Sequence, residues 1–217
     1  MSELATIYLV DNDPEMRRTI EEFARSFNVQ TEFHERAESL LQSYRPERSG
    51  CVVSEFRLLG MNGVTMQEKM LSHGYRSPII FVTAHAETPL TVRAIQAGAI
   101  TVLEKPFSRQ DLWDALRQAL EIDQQARRID AQHTQVRRRL SRITSKEREV
   151  LNLMVDGKAN KEIAAKLSVS VRTVEARRHQ IFKKAGVESV AQLVKIVLEA
   201  GDLPSGESDL HPYEEAC

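Results

Sequence analysis

The first 120 residues alternate between short apolar runs and longer segments in which apolar residues recur at helical spacing. The apolar runs, which are typical of strands buried on both faces, are Ala5–Val10, Val29–His34, Cys51–Glu55, Ile79–Thr83 and Thr101–Leu103. The amphipathic segments that follow them are Glu15–Phe27, Ala37–Ser43, Gly63–Ser72, Pro89–Gln96 and Ser108–Ala119. Five strand-then-helix units predict an α/β domain with a five-stranded parallel sheet covered by helices on both faces.

After Ile143 the pattern becomes wholly helical. Thr144 begins a Thr-Ser-Lys-Glu capping box at the start of a first helix, and Gly157 ends that helix. The remaining helical segments are Asn160–Leu167, Val171–Ala185 and Ser189–Ala200. A tight Ser-Val-Ser connection precedes Val171, so the pattern predicts an all-α, four-helix domain with a helix-turn-helix arrangement.

Charge is distributed unevenly, although the whole chain has a net charge of only −1. Residues 137–200 contain 15 Lys and Arg against 7 Asp and Glu, whereas residues 201–217 contain 5 acidic and no basic residues. A basic domain of this kind suits a polyanionic partner. We therefore predict an α/β domain over 1–122, an exposed helical linker over 123–139, a helical domain over 140–201 and a disordered acidic tail over 202–217. A disordered linker is the weaker option.

No apolar run approaches the roughly 20 residues that a membrane-spanning helix requires. The first residues also lack the basic and apolar regions of a signal peptide. We therefore expect a cytoplasmic protein with no membrane partner.

Polar residues occupy the positions at which the predicted strands end. They are Asp11, Asn12 and Asp13 after the first strand, then Glu55, Thr83 and Lys105 at the third, fourth and fifth. Because the ligand crevice of a parallel sheet lies beyond the carboxyl ends of its strands, these side chains should meet there. Carboxylates suit Mg²⁺, and Lys105 and Thr83 could bind phosphate oxygens. The set predicts a pocket for a phosphoryl group beside a divalent cation.

The first domain resembles the receiver domain of response regulators, most closely the FixJ type, over about residues 4–122. The motifs that carry the resemblance are Leu9-Val10-Asp11-Asn12-Asp13, Ser54-Glu55-Phe56-Arg57, Met61-Asn62-Gly63, Val82-Thr83-Ala84 and Glu104-Lys105-Pro106-Phe107. The resemblance implies a doubly wound, flavodoxin-like sheet and a cis peptide bond between Lys105 and Pro106. It also implies that Glu55 stands at the position of the phosphoacceptor.

Four positions depart from the receiver pattern. Asn12 replaces an acid that normally binds Mg²⁺, Glu55 replaces the acceptor, Leu59 replaces a proline, and Val102 replaces an aromatic switch residue. A cation site that has lost two aspartate ligands should be weak. We therefore expect no resident cofactor and no metal site, with Asp11 and Glu55 as the ligands if Mg²⁺ binds at all.

Glu55 admits two interpretations. Its longer carboxylate could reach towards Thr83 or Lys105, imitate part of a phosphoryl charge and bias the domain to its active state. Alternatively, the residues of the pocket have diverged from the family pattern, and Glu55 pairs with Lys105 without imitating phosphate. Residual phosphorylation at Glu55, Asp13 or Ser54 is a third option.

The helix Val171–Ala185 has an apolar side and an opposite side that could enter a DNA major groove. On the second side, Glu175 and His179 could contact base edges, and Ala176 could touch a thymine methyl. The candidate phosphate contacts are Lys161, Arg172, Arg178, Lys183 and Lys184.

The helical domain resembles the LuxR-type DNA-binding domain over Leu140–Leu198. The resemblance rests on Thr144-Ser145-Lys146-Glu147-Arg148-Glu149-Val150-Leu151, Asn160-Lys161-Glu162-Ile163-Ala164, Thr173-Val174-Glu175 and Gly186-Val187. Arg177 departs from it, because the family commonly has His there; we expect altered packing or phosphate contact.

Together the two resemblances imply a two-component transcriptional regulator that binds double-stranded DNA, and not an enzyme. We expect a homodimer, with Pro89–Gln96, Val102 and Trp113 as a candidate dimer face or as simple packing. Contact with RNA polymerase and a cognate histidine kinase are left open. Two alternatives stay open as well: a conventional phosphorelay regulator phosphorylated despite Glu55, and a protein-interaction module that binds no specific DNA.

Overall fold

A computed structural model describes residues 4–201, so the predicted tail over 202–217 lies outside the described residues. The chain forms two compact units that divide between Arg128 and Ile129. That division falls within the segment predicted to be the linker, whose bounds at 123 and 139 stay a prediction.

The first unit is a five-stranded parallel sheet in the order β2-β1-β3-β4-β5. Its strands are β1 Thr6–Val10, β2 Gln30–His34, β3 Gly50–Ser54, β4 Ile79–Thr83 and β5 Thr101–Glu104. Its helices are α1 Pro14–Phe27, α2 Ala37–Ser43, α3 Gly63–Ser72, α4 Thr88–Gln96 and the first part of α5 Arg109–Leu140, which continues past the division at Arg128. The sequence prediction of a doubly wound, flavodoxin-like α/β sheet is confirmed.

Alternate residues of each central strand enter two separate cores. In β1, Tyr8 and Val10 pack with the apolar residues of α2, α3 and α4, whereas Ile7 and Leu9 pack with those of α1 and α5. All five residues of β1 are buried. This explains the continuous apolar run, since a strand covered on both faces has no polar side to alternate with.

Helix α5 is longer than the predicted Ser108–Ala119 and includes residues 123–139. Its first part is bound to the sheet: Asp123 is only 5% exposed and accepts hydrogen bonds from Ser49 Oγ at 2.6 Å and Gly50 N at 2.9 Å. Arg127 pairs with Asp123 at 2.8 Å and donates to the backbone carbonyls of Pro46, Glu47 and Arg48. Asp123 and Arg127 were expected in an exposed connector, and the structure instead places them against the loop before β3.

The second unit contains α6 Ser145–Val155, α7 Asn160–Lys166, α8 Val171–Ala185 and α9 Val190–Glu199. Ser170 caps α8 by accepting from Thr173 N, and Gly186 ends it in a left-handed conformation with φ +69°. The predicted four-helix domain is confirmed. Within residues 4–201, no helix is both long and apolar enough to cross a membrane.

We predict that Asp123→Ala lowers the free energy of unfolding of the first unit by about 2–4 kcal/mol, because it leaves the Gly50 amide and the Arg127 guanidinium without their buried acceptor. Urea denaturation followed by circular dichroism measures this. Gln124→Ala, an exposed neighbour on the same helix, should change stability by no more than about 0.5 kcal/mol. Equal effects of the two substitutions would contradict a structural role for Asp123.

Candidate functional site

The carboxyl ends of four strands bring the predicted pocket residues to one edge of the sheet. Val10 pairs in register with Ser54, and Thr83 pairs with Glu104. Asp11, Glu55 and Lys105 each follow the last residue of their strand directly. The side chains that the sequence grouped by strand order therefore lie side by side.

Lys105 lies at the centre of this pocket. Its ammonium is 3.0 Å from Asp13 Oδ2, 3.3 Å from Asp11 Oδ2 and 3.8 Å from Glu55 Oε2. Burial acts to lower the pKa of Lys105, but the hydrogen bonds and charges of Asp13 and Asp11 outweigh it and hold the pKa above its usual value. The ammonium is therefore a fixed cation shared among three carboxylates.

The two aspartates are held by the backbone as well as by Lys105. Asp11 is buried and accepts from Asp13 N at 2.9 Å, while Asp13 caps α1 by accepting from Glu15 N at 2.9 Å. Burial acts to raise the pKa of Asp13, but the bonds from Lys105 and the Glu15 amide hold it below its usual value. Asn12, between them, is exposed.

The carboxylate of Glu55 turns towards its own backbone. Oε1 accepts from Phe56 N at 2.7 Å and lies 3.5 Å from Arg57 N, and only 13% of the side chain is exposed. Gly63 packs closely against the backbone of Glu55, since a Cβ at Gly63 would lie 2.3 Å from Glu55 O. Within the described part of the chain, the Thr83 hydroxyl pairs with His85 N and O, so the expected approach of Glu55 to Thr83 is not made.

Magnesium does not fit this donor set well. Residues 4–201 contain no group of three or more His, Cys, Asp or Glu side chains arranged to hold a metal ion. Asn12 offers a neutral oxygen, and the Lys105 ammonium already faces both aspartates. A cation would have to compete with that ammonium for the same oxygens.

In the second unit, α8 separates a buried side from an exposed one. Val174, Ile181 and Ala185 are buried. The exposed side chains include Arg172, Glu175, Ala176, His179 and Lys183, together with Lys161 on α7. Gln180 is exposed too, four residues after Ala176 and three before Lys183. The sequence interpretation missed Gln180, although this spacing would have placed it on the same side.

Two family models match this chain. Residues 7–117 match the response regulator receiver domain, and residues 141–197 match the luxR family of bacterial regulatory proteins. The chain is a response regulator. It combines a receiver with a DNA-binding LuxR-type domain, as the sequence predicted.

The matches to several similar proteins cover most of the chain. It is 32% identical over 192 residues to the response regulator protein TmoT of Ectopseudomonas mendocina, covering 88% of this chain and 87% of that protein. It is 30% identical to the transcriptional regulatory protein FixJ of Azorhizobium caulinodans, covering 96% and 99%. The low-resolution structure of the response regulator StyR matches with a TM-score of 0.82 and 37% identity, over 90% of this chain and 99% of that one.

Within the receiver, the cis bond predicted between Lys105 and Pro106 is present. Leu59, at the position of the family's proline, is 62% exposed, and Val102 is half-buried against the core beside α4. Trp113 was assigned with α4 either to a candidate dimer face or to simple packing, and the structure shows a packing contact. Its ring packs edge-on against Phe23 at 5.6 Å and Phe27 at 5.7 Å, both on α1.

Lys184 of the LuxR-type domain also needs correction. It was assigned to DNA phosphates, but its ammonium donates to both oxygens of Glu147, at 2.8 and 2.6 Å. Burial acts to raise the pKa of Glu147, but Lys184 and the hydrogen bonds from Thr144 hold it below its usual value. Lys184 is therefore a structural cation that joins the end of α8 to the start of α6.

Two arginines of α8 make contacts that periodicity did not predict. The Arg178 guanidinium lies 5.9 Å from the centre of the Phe182 ring, and the side chain is half-buried and not on the exposed side of the helix. Its assignment to a DNA phosphate stays a prediction. Arg177 donates to Lys146 O at 3.5 Å, which fits the expected change in packing at this departure from the family.

We predict that Lys183→Met and Lys184→Met have different effects on DNA binding. Lys183→Met should reduce the slope of log K against log salt by about 0.9, as expected for one lost phosphate contact. Lys184→Met should leave the slope unchanged but lower the stability of the domain by about 1.5–3 kcal/mol, because Glu147 loses a charged donor. Fluorescence anisotropy across a salt series and chemical denaturation separate the two.

The Glu147 contribution has a definite pH dependence. Because its folded-state pKa lies below the ordinary value of 4.5, the stabilisation is complete above that pH and is lost as pH falls through the folded-state pKa. The stability difference between wild type and Lys184→Met should therefore shrink in acid. A difference that grows in acid would contradict the assignment.

Proposed function

We propose that this response regulator binds DNA and regulates transcription without being phosphorylated. The observation that carries the proposal is the placement of Glu55, whose carboxylate accepts from Phe56 N and lies 3.8 Å from Lys105 Nζ. The backbone amide and the ammonium are the donors that an anion in this pocket would use. Here a side chain that is always present already occupies them.

Both the geometry and the charge of the pocket disfavour phosphorylation of Glu55. A glutamyl phosphate would extend one methylene further than an aspartyl one, about 1.5 Å, and misplacement of that order is enough to cost most of a reaction's rate. The Lys105 cation is already shared by Asp11 and Asp13. A phosphoryl group, with a charge of about −2, would enter a pocket that contains three carboxylates and a single facing ammonium.

The fixed charge of Glu55 then biases the receiver towards its DNA-binding state. In a phosphorylated receiver, the negatively charged phosphoryl oxygens lie beside the amide and lysine donors. Glu55 places a negative charge beside the same donors permanently. The Thr83 hydroxyl stays with His85, so the imitation is partial. The bias should accordingly be smaller than the effect of a phosphoryl group that engages all the donors.

The exposed side of α8 is the DNA-recognition surface in this proposal. Glu175 and His179 contact base edges, Ala176 lies against a thymine methyl, and Arg172 and Lys183 bind phosphates. Lys161, near the start of α7, adds another phosphate contact. Gln180 joins this surface because an amide can bind adenine through two hydrogen bonds.

Two copies of the chain bind paired half-sites. Val92 and Ile95 of α4 are each 46% exposed, so α4 presents two large apolar side chains on the surface of the receiver. Pairing of receivers through this helix would hold two LuxR-type domains at high local concentration for a two-part site.

We predict that Glu55→Gln weakens DNA binding by about 5–20-fold in the absence of any phosphodonor, because it removes the fixed charge and keeps the side-chain length. Wild type should bind equally with and without acetyl phosphate and Mg²⁺. Anisotropy titration of full-length protein on a site selected from random DNA measures both.

Glu55→Asp is the matched variant, because it keeps the charge and restores the shorter acceptor. If acetyl phosphate increases its DNA binding and not that of wild type, the added methylene is what prevents phosphorylation. Covalent addition of phosphate to wild type, detected by intact-mass spectrometry, would instead assign the chain to the conventional phosphorelay. Equal binding by all three proteins would mean that the pocket does not regulate.

For base recognition, we predict that Glu175→Ala relaxes the preference for cytosine at one position in each half-site by about tenfold, since a carboxylate accepts from the cytosine amino group. Selection from random DNA followed by sequencing gives the preference at every position. Glu188→Ala, exposed and outside α8, is the control and should leave the selected site unchanged. An unaltered site with Glu175→Ala would remove this residue from base readout.

A further inference from the structure

Three exposed arginines form a cluster at the end of α5, within the second unit. Arg137 and Arg138 are in the last turn of the helix, and Arg142 follows in the turn before α6. The backbone keeps turning there, since Arg142 N donates to Arg139 O at 3.2 Å. Arg138 and Arg142 are four residues apart, and like charges at this spacing repel each other. The arginine cluster, defined as Arg137, Arg138 and Arg142, is therefore stabilised by a bound anion.

Within residues 4–201, the three guanidiniums have no acidic partner. Lys184 and Lys195 pair with glutamates of the same unit, whereas no arginine of the cluster forms an ion pair with a described carboxylate. The helix dipole favours cations at this end of α5, but it corresponds to only about half an elementary charge. Most of the positive charge of the cluster is therefore left for another anion.

The end of α9 fixes the position of Arg137. Its Nε donates to Ala200 O at 3.2 Å, so the guanidinium lies beside the last residues of that helix. Its two Nη groups have no partner among the described residues and could form two parallel hydrogen bonds with one carboxylate. Gly201 then turns the chain in a left-handed conformation, with φ +65°. An oriented pair of donors thus lies at the point from which residues 202–217 continue.

The sequence after Gly201 supplies carboxylates. Residues 202–217 lie outside the described residues and contain no Lys or Arg; their acids are Asp202, Glu207, Asp209, Glu214 and Glu215. Asp202 follows Ala200 by two residues, which is at most roughly 7 Å of extended chain. A carboxylate on so short a tether has a high effective concentration at Arg137. Charge and connectivity therefore favour an anion from the same chain.

We propose that the arginine cluster is a carboxylate-binding site, and that the acidic segment 202–217 of the same chain occupies it. Asp202 pairs with Arg137, and the next two acids of the segment neutralise the other two arginines. The segment thereby competes with DNA, because it neutralises cations that would otherwise attract phosphates. The competition rests on the proposed DNA-binding function, whereas the site itself does not.

Amide substitutions in the segment test the site without DNA. The five-amide variant keeps the length of the segment and carries Asp202→Asn, Glu207→Gln, Asp209→Asn, Glu214→Gln and Glu215→Gln. In full-length protein labelled with ¹⁵N at low salt, it should differ from wild type in the Nε–H signal of Arg137 and the amide signals of Arg138 and Arg142. These differences should disappear at about 1 M salt, where the Debye length is about 3 Å.

Substitutions in the cluster give the reciprocal test. The cluster variant carries Arg137→Gln, Arg138→Gln and Arg142→Gln, and it should shift the amide signals of Glu207 and Asp209, which are remote from the substituted residues in the sequence. A control variant with Lys158→Gln and Lys166→Gln removes two exposed cations elsewhere in the same unit. The control should leave the Glu207 and Asp209 signals as they are in wild type.

Anisotropy titration with the selected DNA site measures the competition. At low salt the five-amide variant should bind about 5–20-fold more tightly than wild type, and this gain should fall towards one as salt rises. In the cluster variant, the same five substitutions should increase affinity by less than about twofold, because the segment has lost its site.

Three results would overturn the proposal. One is identical signals at the end of α5 in wild type and the five-amide variant. Another is signal changes confined to α8 around Arg172 and Lys183, which would place the segment on the recognition surface instead. The third is an equal gain in DNA affinity with and without the cluster, which would indicate general repulsion between the segment and DNA. Failure of every variant to bind DNA would contradict the proposed function alone, since the signals locate the segment without DNA.

Discussion

A parallel sheet gathers the carboxyl ends of all its strands at one edge and the amino ends at the other, and both edges of this receiver must satisfy buried polar groups. At the carboxyl edge, one ammonium serves three carboxylates, with Asp13 as the nearest. At the amino edge, Asp123 accepts from the first amide of β3, and Arg127 covers the carbonyls before it. The helix that leaves the receiver is thus fixed to the sheet by charge at Asp123 and Arg127, in addition to the apolar contacts of its first turns.

The LuxR-type domain uses charge in the same way. Glu147 completes the capping box of α6 through Thr144, and Lys184 neutralises it from the end of α8. A buried carboxylate that caps one helix and pairs with another fixes their relative position, because moving either helix would leave a charge unpaired. Lys184, which makes this ion pair, is half-buried and lies apart from the exposed side chains of α8.

Periodicity and end signals predicted the elements of both units from the sequence. Ile79–Thr83 and Val171–Ala185 have the predicted bounds, because a turn before the strand and a Ser cap and Gly stop around the helix are local signals. The contacts that the sequence did not predict, at Lys184, Arg178 and Trp113, concern where a long side chain goes after it leaves the backbone. Which partner each side chain meets (Glu147, Phe182 and Phe27) depends on its rotamer and on tertiary contacts, and residue spacing does not encode these. The burial of Asp123 escaped notice for the same reason, since polar residues on predicted helices are normally solvated.

A pocket whose charge is permanent cannot itself respond to a signal. A signal shifts an equilibrium only through a difference in affinity between two states, and a fixed side chain at Glu55 supplies no such difference. If Glu55 acts without phosphorylation, as we propose, regulation of this chain must act through a surface other than this pocket.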